Sequence, residues 1–305
     1  MFNHENRVHL SEFDEFVEII KDCRFFSCGK IPSRISQRLV PITSSSHLKE
    51  IEYYQKEIAG IICPPGLTPS IPDHMGIAVS TNPRLAANKI HATICEKKNY
   101  LWSDFPSQIS SLAKIHPTAH VESWNVVIGD NTIIGPHAVI LDRVQIGKEC
   151  TIGPNTTIGS SGYEVVVFDG ESALVAQAGG VRIGDNVHFL SNASVARSAF
   201  PNFTEIGNFS TFDNLTHIAH DCILGSRVKM AACSMLSGRV TLGDDVYIGP
   251  NATVSNGITI KSSAKISIGA VVITDVEESV TVTGNFAIEH RNFLRNMATL
   301  NRIKK

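Results

Sequence analysis

The stretch NLTHIAHDCILG, residues 214–225, places His217 and His220 three residues apart among small and apolar neighbours. Three chemistries suit such a pair. Two imidazoles can ligate a metal if a third His or a carboxylate joins them. They can satisfy local hydrogen bonds at structural corners. One of them can instead act as a general base, because imidazole titrates near neutrality and can take a proton from an amine nucleophile. A base needs a carboxylate to orient its ring, and Asp213 and Asp221 are both at hand. The choice turns on where each side chain points, which is set by the surrounding elements.

Those elements announce themselves by a period. Apolar residues recur at Ile206, Phe212, Ile218, Leu224, Met230, Leu236, Leu242, Ile248, Val254, Ile260, Ile266 and Val272, each six residues after the last. An earlier series runs Ile128, Ile134, Ile140, Ile146, Ile152 and Ile158, and a short one holds Ile183, Phe189 and Val195. Six fits neither a 3.6-residue helix nor an alternating hairpin. It fits a short strand and a turn, repeated, with three strands and three corners to a coil. The Gly, Asn or Asp that often follows the aliphatic residue suits a corner with unusual backbone angles. Stacked coils would bury a column of side chains, each worth roughly 1.5–3 kcal/mol. In this register Phe212 and Ile218 point inward. His220, two residues further, therefore projects outward, where an adjacent subunit can complete a cleft. His116, His120, His137 and His188 read as corner histidines.

Two segments break the count. GSSGYEVVVFDGESALVAQAGGV, residues 159–181, is expected to form a loop reaching over a site, and ARSAFPNFTE is a second excursion at 196–205. Excursions from a repeat array gather on one face. The expected organisation is a small α/β domain at 1–112 that binds a nucleotide or caps the array, a β-helix at 113–283, and a helical tail at 284–305. In the first domain LSEFDEFVEIIKDC predicts a helix with Leu10, Phe13, Val17 and Ile20 on one face and Ser11 as cap. EIAGIICPP and GIAVS predict buried strands, and a helix should start at Pro83. In the tail, Phe293, Met297 and Leu300 share a helical face that should pack on the last coil or at a subunit contact.

Composition narrows the function. The 305 residues carry a net charge of −2 and no basic patch, which gives no attraction to nucleic acid. No apolar run reaches membrane-spanning length, and the N-terminus lacks a secretory signal, so a cytoplasmic location is expected. The seven cysteines are scattered and never paired as CxxC, as in a reduced compartment.

The hexapeptide pattern resembles the left-handed parallel β-helix of hexapeptide-repeat acyltransferases, and the hand of the helix comes from that resemblance. FDNLTHIAHDCILG, with GSSGY upstream and GGVRIGDNV between, is similar to the UDP-3-O-acylglucosamine N-acyltransferases of lipid A synthesis, as is the NPRLA…IHPTAHV layout before the repeats. The resemblance implies a homotrimer with sites between subunits. It implies His220 as the base, or as a positioning group where the sugar amine arrives uncharged. It also implies Gly238, one 18-residue coil on, as the N–H donor to the oxyanion. Asp213 and Asn214 match the DN before the histidine motif. With Tyr163 of GSSGY, and with His217 at a position the family fills with Gln, they are expected at the substrate. Three features depart from that family: PITSSSHLKEIEYY replaces its uracil-gripping segment, Ile258 follows Asn256–Gly257 where a histidine is usual, and the C-terminal helical region is short. GAVVITDV…VTVTGNFA resembles instead the tail of soluble sugar N-acetyltransferases that use coenzyme A. The expected reaction moves an acyl group from acyl-CoA to a nucleotide-linked amino sugar for a surface glycan, with no permanently bound cofactor and no metal. The alternatives are the lipid A enzyme, with acyl carrier protein as donor, and a metal-dependent hydratase on the same fold. One coil on from the two histidines, however, stand Met235 and Gly238 rather than a third ligand.

Overall fold

The computed structural model describes residues 1–168, 170–284 and 287–303. Residues 285 and 286 of the GNFA segment and the final two lysines lie outside that range. The repeats fold as a left-handed parallel β-helix of three sheets holding eight, nine and eight short strands. Every strand pairs in parallel with the strand one coil away, as in His217↔Met235 and Ile218↔Leu236. All the aliphatic and aromatic residues of the three six-residue series are buried, and Phe189 stacks on Phe212 with ring centroids 4.4 Å apart. The first stacked strand is Gln108–Ile109, paired with Val127–Ile128, so the array starts ahead of the expected boundary at 113.

A second inward position was not visible in the spacing. Two residues before each aliphatic residue sits a small or medium side chain, such as Thr132, Cys150, Thr156, Cys222, Ser234 or Ala252, and all of these are buried. The corners also work differently from the sequence reading. The left-handed residue is the third after the inward one: Phe209, Leu215, Asp221, Arg227, Cys233, Arg239, Asp245 and Asn251 all have φ between 55° and 63°. Glycines directly after the aliphatic residue lack positive φ, except Gly159 (φ 93°) where the first excursion leaves the array. They are there because the next coil lies against them: a methyl group on Gly207 would stand 2.5 Å from the Gly225 carbonyl carbon.

The three corners differ sharply in what they carry. Both excursions leave the corner that joins the third sheet to the first, residues 159–181 in one coil and 197–202 in the next. His220–Asp221 and Gly238–Arg239 occupy the same edge one and two coils further on. The first excursion contains the antiparallel hairpin Val165–Phe168 with Glu171–Leu174.

The N-terminal segment builds a five-stranded mixed sheet in which Ser27–Cys28, Arg38–Pro41, Ile58–Cys63 and Gly76–Val79 run parallel and Glu18–Lys21 pairs antiparallel at the edge. Helix Pro83–Glu96 packs on the sheet, and the Asn82 side chain accepts from the Leu85 N–H at 3.1 Å. The predicted helix at 10–23 does not form. Leu10–Phe13 makes one 3₁₀ turn, closed by Glu12 accepting from the His9 N–H, while Ser11 binds Asp22. Beyond it the β-branched pair Ile19–Ile20 lies in the edge strand, and Ile20 is exposed. The domain does not cap the array, since Ile109 and Leu112 remain exposed at its first coil. It leans on the flank, through Phe2 and Trp102 against Phe203, His91 against Phe200, and an Arg34–Glu205 ion pair of 3.0 Å. Helix His290–Ile303 does not pack on the last coil; Phe293, Leu294, Met297 and Leu300 are all exposed.

If close stacking is what demands glycine, Gly207→Ala should lower stability by about 1–3 kcal/mol through overpacking. Gly66→Ala, in open space, should stay within about 0.5 kcal/mol of the parent. Urea unfolding followed by circular dichroism compares them, and equal losses would refute the assignment.

Candidate active site

His220 points away from the apolar column, at an inward-plus-two position on the loaded edge. It is nonetheless only 5% exposed, because the chain's own excursion loop covers it. The ring lies between two glycines. A methyl group on Gly162 of the loop would meet His220 Cβ at 2.6 Å, and one on Gly238 would meet Cε1 and Nε2 at 2.6 Å. No other residue type leaves room for the ring on either side. The Gly238 N–H has no acceptor among the described residues. Within the chain, the loop thus supplies one wall beside the ring and the next coil the other.

The ring's two nitrogens have distinct partners. Nδ1 lies 2.7 Å from Asp221 Oδ2, which settles the choice between the two aspartates. Asp221 also accepts from the Ser198 hydroxyl, and the Thr204 hydroxyl holds its own N–H at 2.9 Å. Burial pushes the Asp221 carboxyl up, but the hydrogen bonds from His220 and Ser198 outweigh it and hold the group below the usual carboxylate range. An ionised Asp221 can only accept, so Nδ1 carries the hydrogen of that bond and Nε2 is the nitrogen left to meet a substrate. Nε2 faces Glu164 Oε2 at 3.6 Å.

Glu164 is the centre of an ion-pair cluster that sequence reasoning missed. It binds Lys30 of the N-terminal domain at 2.7 Å and Arg239 at 2.6 Å. Burial raises its carboxyl, yet the two cations bring it below the usual range; burial and Arg239 lower Lys30. The available signal was position alone, since Glu164 follows Tyr163 in GSSGYE and Arg239 follows Gly238.

Beside this cluster a cavity of about 660 Å³ opens between the N-terminal domain and the hairpin. Lys30, Glu164 and Arg239 line it, with Asn82, Asn88 and His91 from the helix end. His91 Nε2 donates to the Ala176 carbonyl at 3.0 Å, and burial lowers the ring's pKa. Its Nδ1 and Asn88 Oδ1 are buried without partners among the described residues.

The other expected site residues are dispersed. Tyr163 is exposed at the loop, next to Glu164. His217 lies on the outer face of the third sheet, half-buried, with its pKa lowered by burial and by the charge of His220. Asp213 and Asn214 sit at the opposite end of that strand, on the corner between the second and third sheets, bonded to each other at 2.8 Å. They do not reach His220 within the chain. Among the described residues no three His, Cys, Asp or Glu side chains converge as metal ligands, and none of the helices is long and apolar enough to cross a membrane.

Comparison with known proteins agrees with this architecture. The family described as bacterial transferase hexapeptide (six repeats) matches residues 125–160, and the hexapeptide repeat of succinyl-transferase matches 239–274. The chain resembles UDP-3-O-acylglucosamine N-acyltransferases. It is 34% identical over 82 residues to the one from Shewanella denitrificans, covering 27% of this chain and 24% of that protein. It is 34% identical over 89 residues to the one from Leptospira biflexa, covering 29% and 25%. The match therefore spans about a quarter of the length of these relatives. Among solved structures, UDP-N-acetylglucosamine acyltransferase from Campylobacter jejuni shares the fold, with a TM-score of 0.50 at 22% identity over 63% of this chain and 80% of that one.

Because Asp221 and Glu164 sit below their unfolded pKa values, they stabilise the fold above about pH 4 and lose that contribution as pH falls through their folded values. Between pH 7 and pH 3 the urea stability of the parent should fall more steeply than that of Asp221→Asn. Parallel acid limbs would show that Asp221 is not held ionised.

Proposed function

We propose that this hexapeptide-repeat chain is an N-acyltransferase that moves an acyl group from a thioester to the amine of a nucleotide-linked amino sugar. The observation that carries the reading is the His220–Asp221 pair, with the ring packed against Gly238 one coil on, whose N–H has no acceptor among the described residues. In this mechanism the amine attacks the thioester carbonyl while Nε2 accepts its proton, and Asp221 stabilises the imidazolium. The Gly238 N–H donates to the oxyanion, a contribution of about 2.7–4 kcal/mol for one such donor. The tetrahedral intermediate then expels the thiolate, which takes the proton back from His220, leaving an amide and a free thiol.

The cavity beside the N-terminal domain suits the nucleotide: the polar residues Asn82, Asn88 and His91 line it beside an apolar wall of Val165, Val166 and Phe200. A homotrimer is supported by the outer face of the third sheet. There Val139, Thr157, Ser194, His217, Met235, Thr253 and Val271 follow one another without a Lys, Arg, Asp or Glu. The second sheet, by contrast, presents Lys114, Lys229 and Lys265. In such an assembly Asp213, Asn214 and His217 serve a neighbouring copy's site, while Tyr163 borders the chain's own. The reaction takes place in the cytoplasm, consistent with seven free cysteines.

The donor we favour is acyl-CoA, on the strength of the GAVVITDV tail, in the synthesis of a surface glycan. The second reading is the lipid A enzyme with acyl carrier protein as donor, favoured by the relatives' own names. Purified protein offered acyl-CoA and acyl carrier protein thioesters, each with UDP- and dTDP-linked amino sugars, separates them by which pair yields amide. With the productive pair, His220→Ala should lower kcat by about 10²–10⁴-fold while the circular dichroism spectrum is retained. Unimpaired turnover removes the base assignment.

A further inference from the structure

Lys30 and Arg239 approach one point from two different parts of the chain, the first from the N-terminal domain and the second from a coil corner. Both also line the cavity. An ammonium and a guanidinium converging beside an open cavity form the arrangement by which proteins hold phosphate groups, the guanidinium through its planar fork. Here that point is already filled, by the carboxylate of Glu164. The same carboxylate stands between the cavity and His220, which is absent from the cavity wall and buried behind it. A nucleotide-linked sugar carries its diphosphate only a few bonds from the sugar amine. A ligand whose amine reaches Nε2 therefore brings its negative charge to Lys30 and Arg239.

We propose that Lys30 and Arg239 are the diphosphate-binding pair for the nucleotide-linked substrate, and that Glu164 is their resident competitor, displaced on binding so that Nε2 of His220 opens to the cavity. This rests on the reading of the cavity as the nucleotide-sugar site. The competition is unequal in the ligand's favour, because a diphosphate presents more charge and more acceptor oxygens than one carboxylate. Glu164 can withdraw without opening a core: the hairpin that follows it exposes Val167 and Leu174. Once both cations are engaged by ligand, the loop loses its only two ion pairs among the described residues apart from the long contact to the histidine ring itself. Substrate charge, rather than thermal opening, then uncovers the base.

Isothermal titration with inorganic pyrophosphate, UDP and coenzyme A tests this without any acyl transfer. Glu164→Gln keeps the size of the side chain and removes the competing charge, so it should bind pyrophosphate and UDP about tenfold more tightly than the parent. Adding Arg239→Met should abolish the gain. Were Glu164 only a strut tying the loop down, the variant would lose stability and gain no affinity. Unchanged or weaker pyrophosphate and UDP binding in a folded Glu164→Gln protein overturns the proposal, as does a gain seen with coenzyme A alone. Should Glu164→Gln not fold, Lys30→Met serves: it leaves the loop bonded to Arg239 and must weaken pyrophosphate binding, and no change overturns the proposal equally. A gain in anion affinity alongside a catalytically silent protein would instead count against the acyl-transfer reading.

Discussion

A coil of this β-helix can close only if three conditions meet in the same six residues. An aliphatic side chain must point inward, the residue after it must tolerate a neighbouring coil at contact distance, and the third residue must turn left-handed. The first condition supplies the burial energy. The third is met mostly by non-glycine residues, including Phe209, Leu215, Arg227 and Arg239, each of which bears a cost that only a stacked array over-determines. The whole arrangement is thus cooperative along the axis. Each coil holds its neighbours' corners in a conformation they would not keep alone.

That constraint has a chemical consequence. Beyond the two excursions the repeat is 18 residues per coil, so a residue there stands directly over the one 18 positions before it. Gly238 lies over His220, and Arg239 donates its N–H to the His220 carbonyl at 2.9 Å. Gly238 over His220, the candidate base, and Arg239 over Asp221 are therefore related by the same translation that builds the core. Their geometry inherits the rigidity of the array and needs no dedicated scaffold.

The fold was legible because its signal is periodic and repeated. A chance pattern does not sustain eleven steps of six residues from Ile206 to Val272. The outward course of His220 followed from the same register. What was not legible depends on chain segments meeting across long separations. Lys30 and Glu164 are 134 positions apart, and no local pattern links them. The failed helix at 10–23 shows the same limit at shorter range. Leu10, Phe13 and Val17 are indeed buried, but burial of three residues at helical spacing is equally satisfied by a turn followed by an edge strand. The glycines misled for a different reason. Sequence shows that Gly follows Ile or Leu, but the choice between unusual φ and close approach appears only when the neighbouring coil is in place.

The concentration of departures on one edge explains how an array of near-identical corners acquires a candidate site at one place. A regular prism presents every corner alike, with polar groups open to water. At the edge joining the third sheet to the first, the insertions after Ile158 and after Ala196 displace water from the next two corners and dock the N-terminal domain through His91 and Phe200. Removing water strengthens each charge interaction there, so the ion pairs around Glu164 and the His220–Asp221 bond count for more than identical pairs elsewhere. The exposed pair Arg227–Asp245, at 2.7 Å on a bare corner, has equally short geometry but remains in solvent, where such a contact is worth little. The site is thus made by what the insertions exclude as much as by the residues they bring.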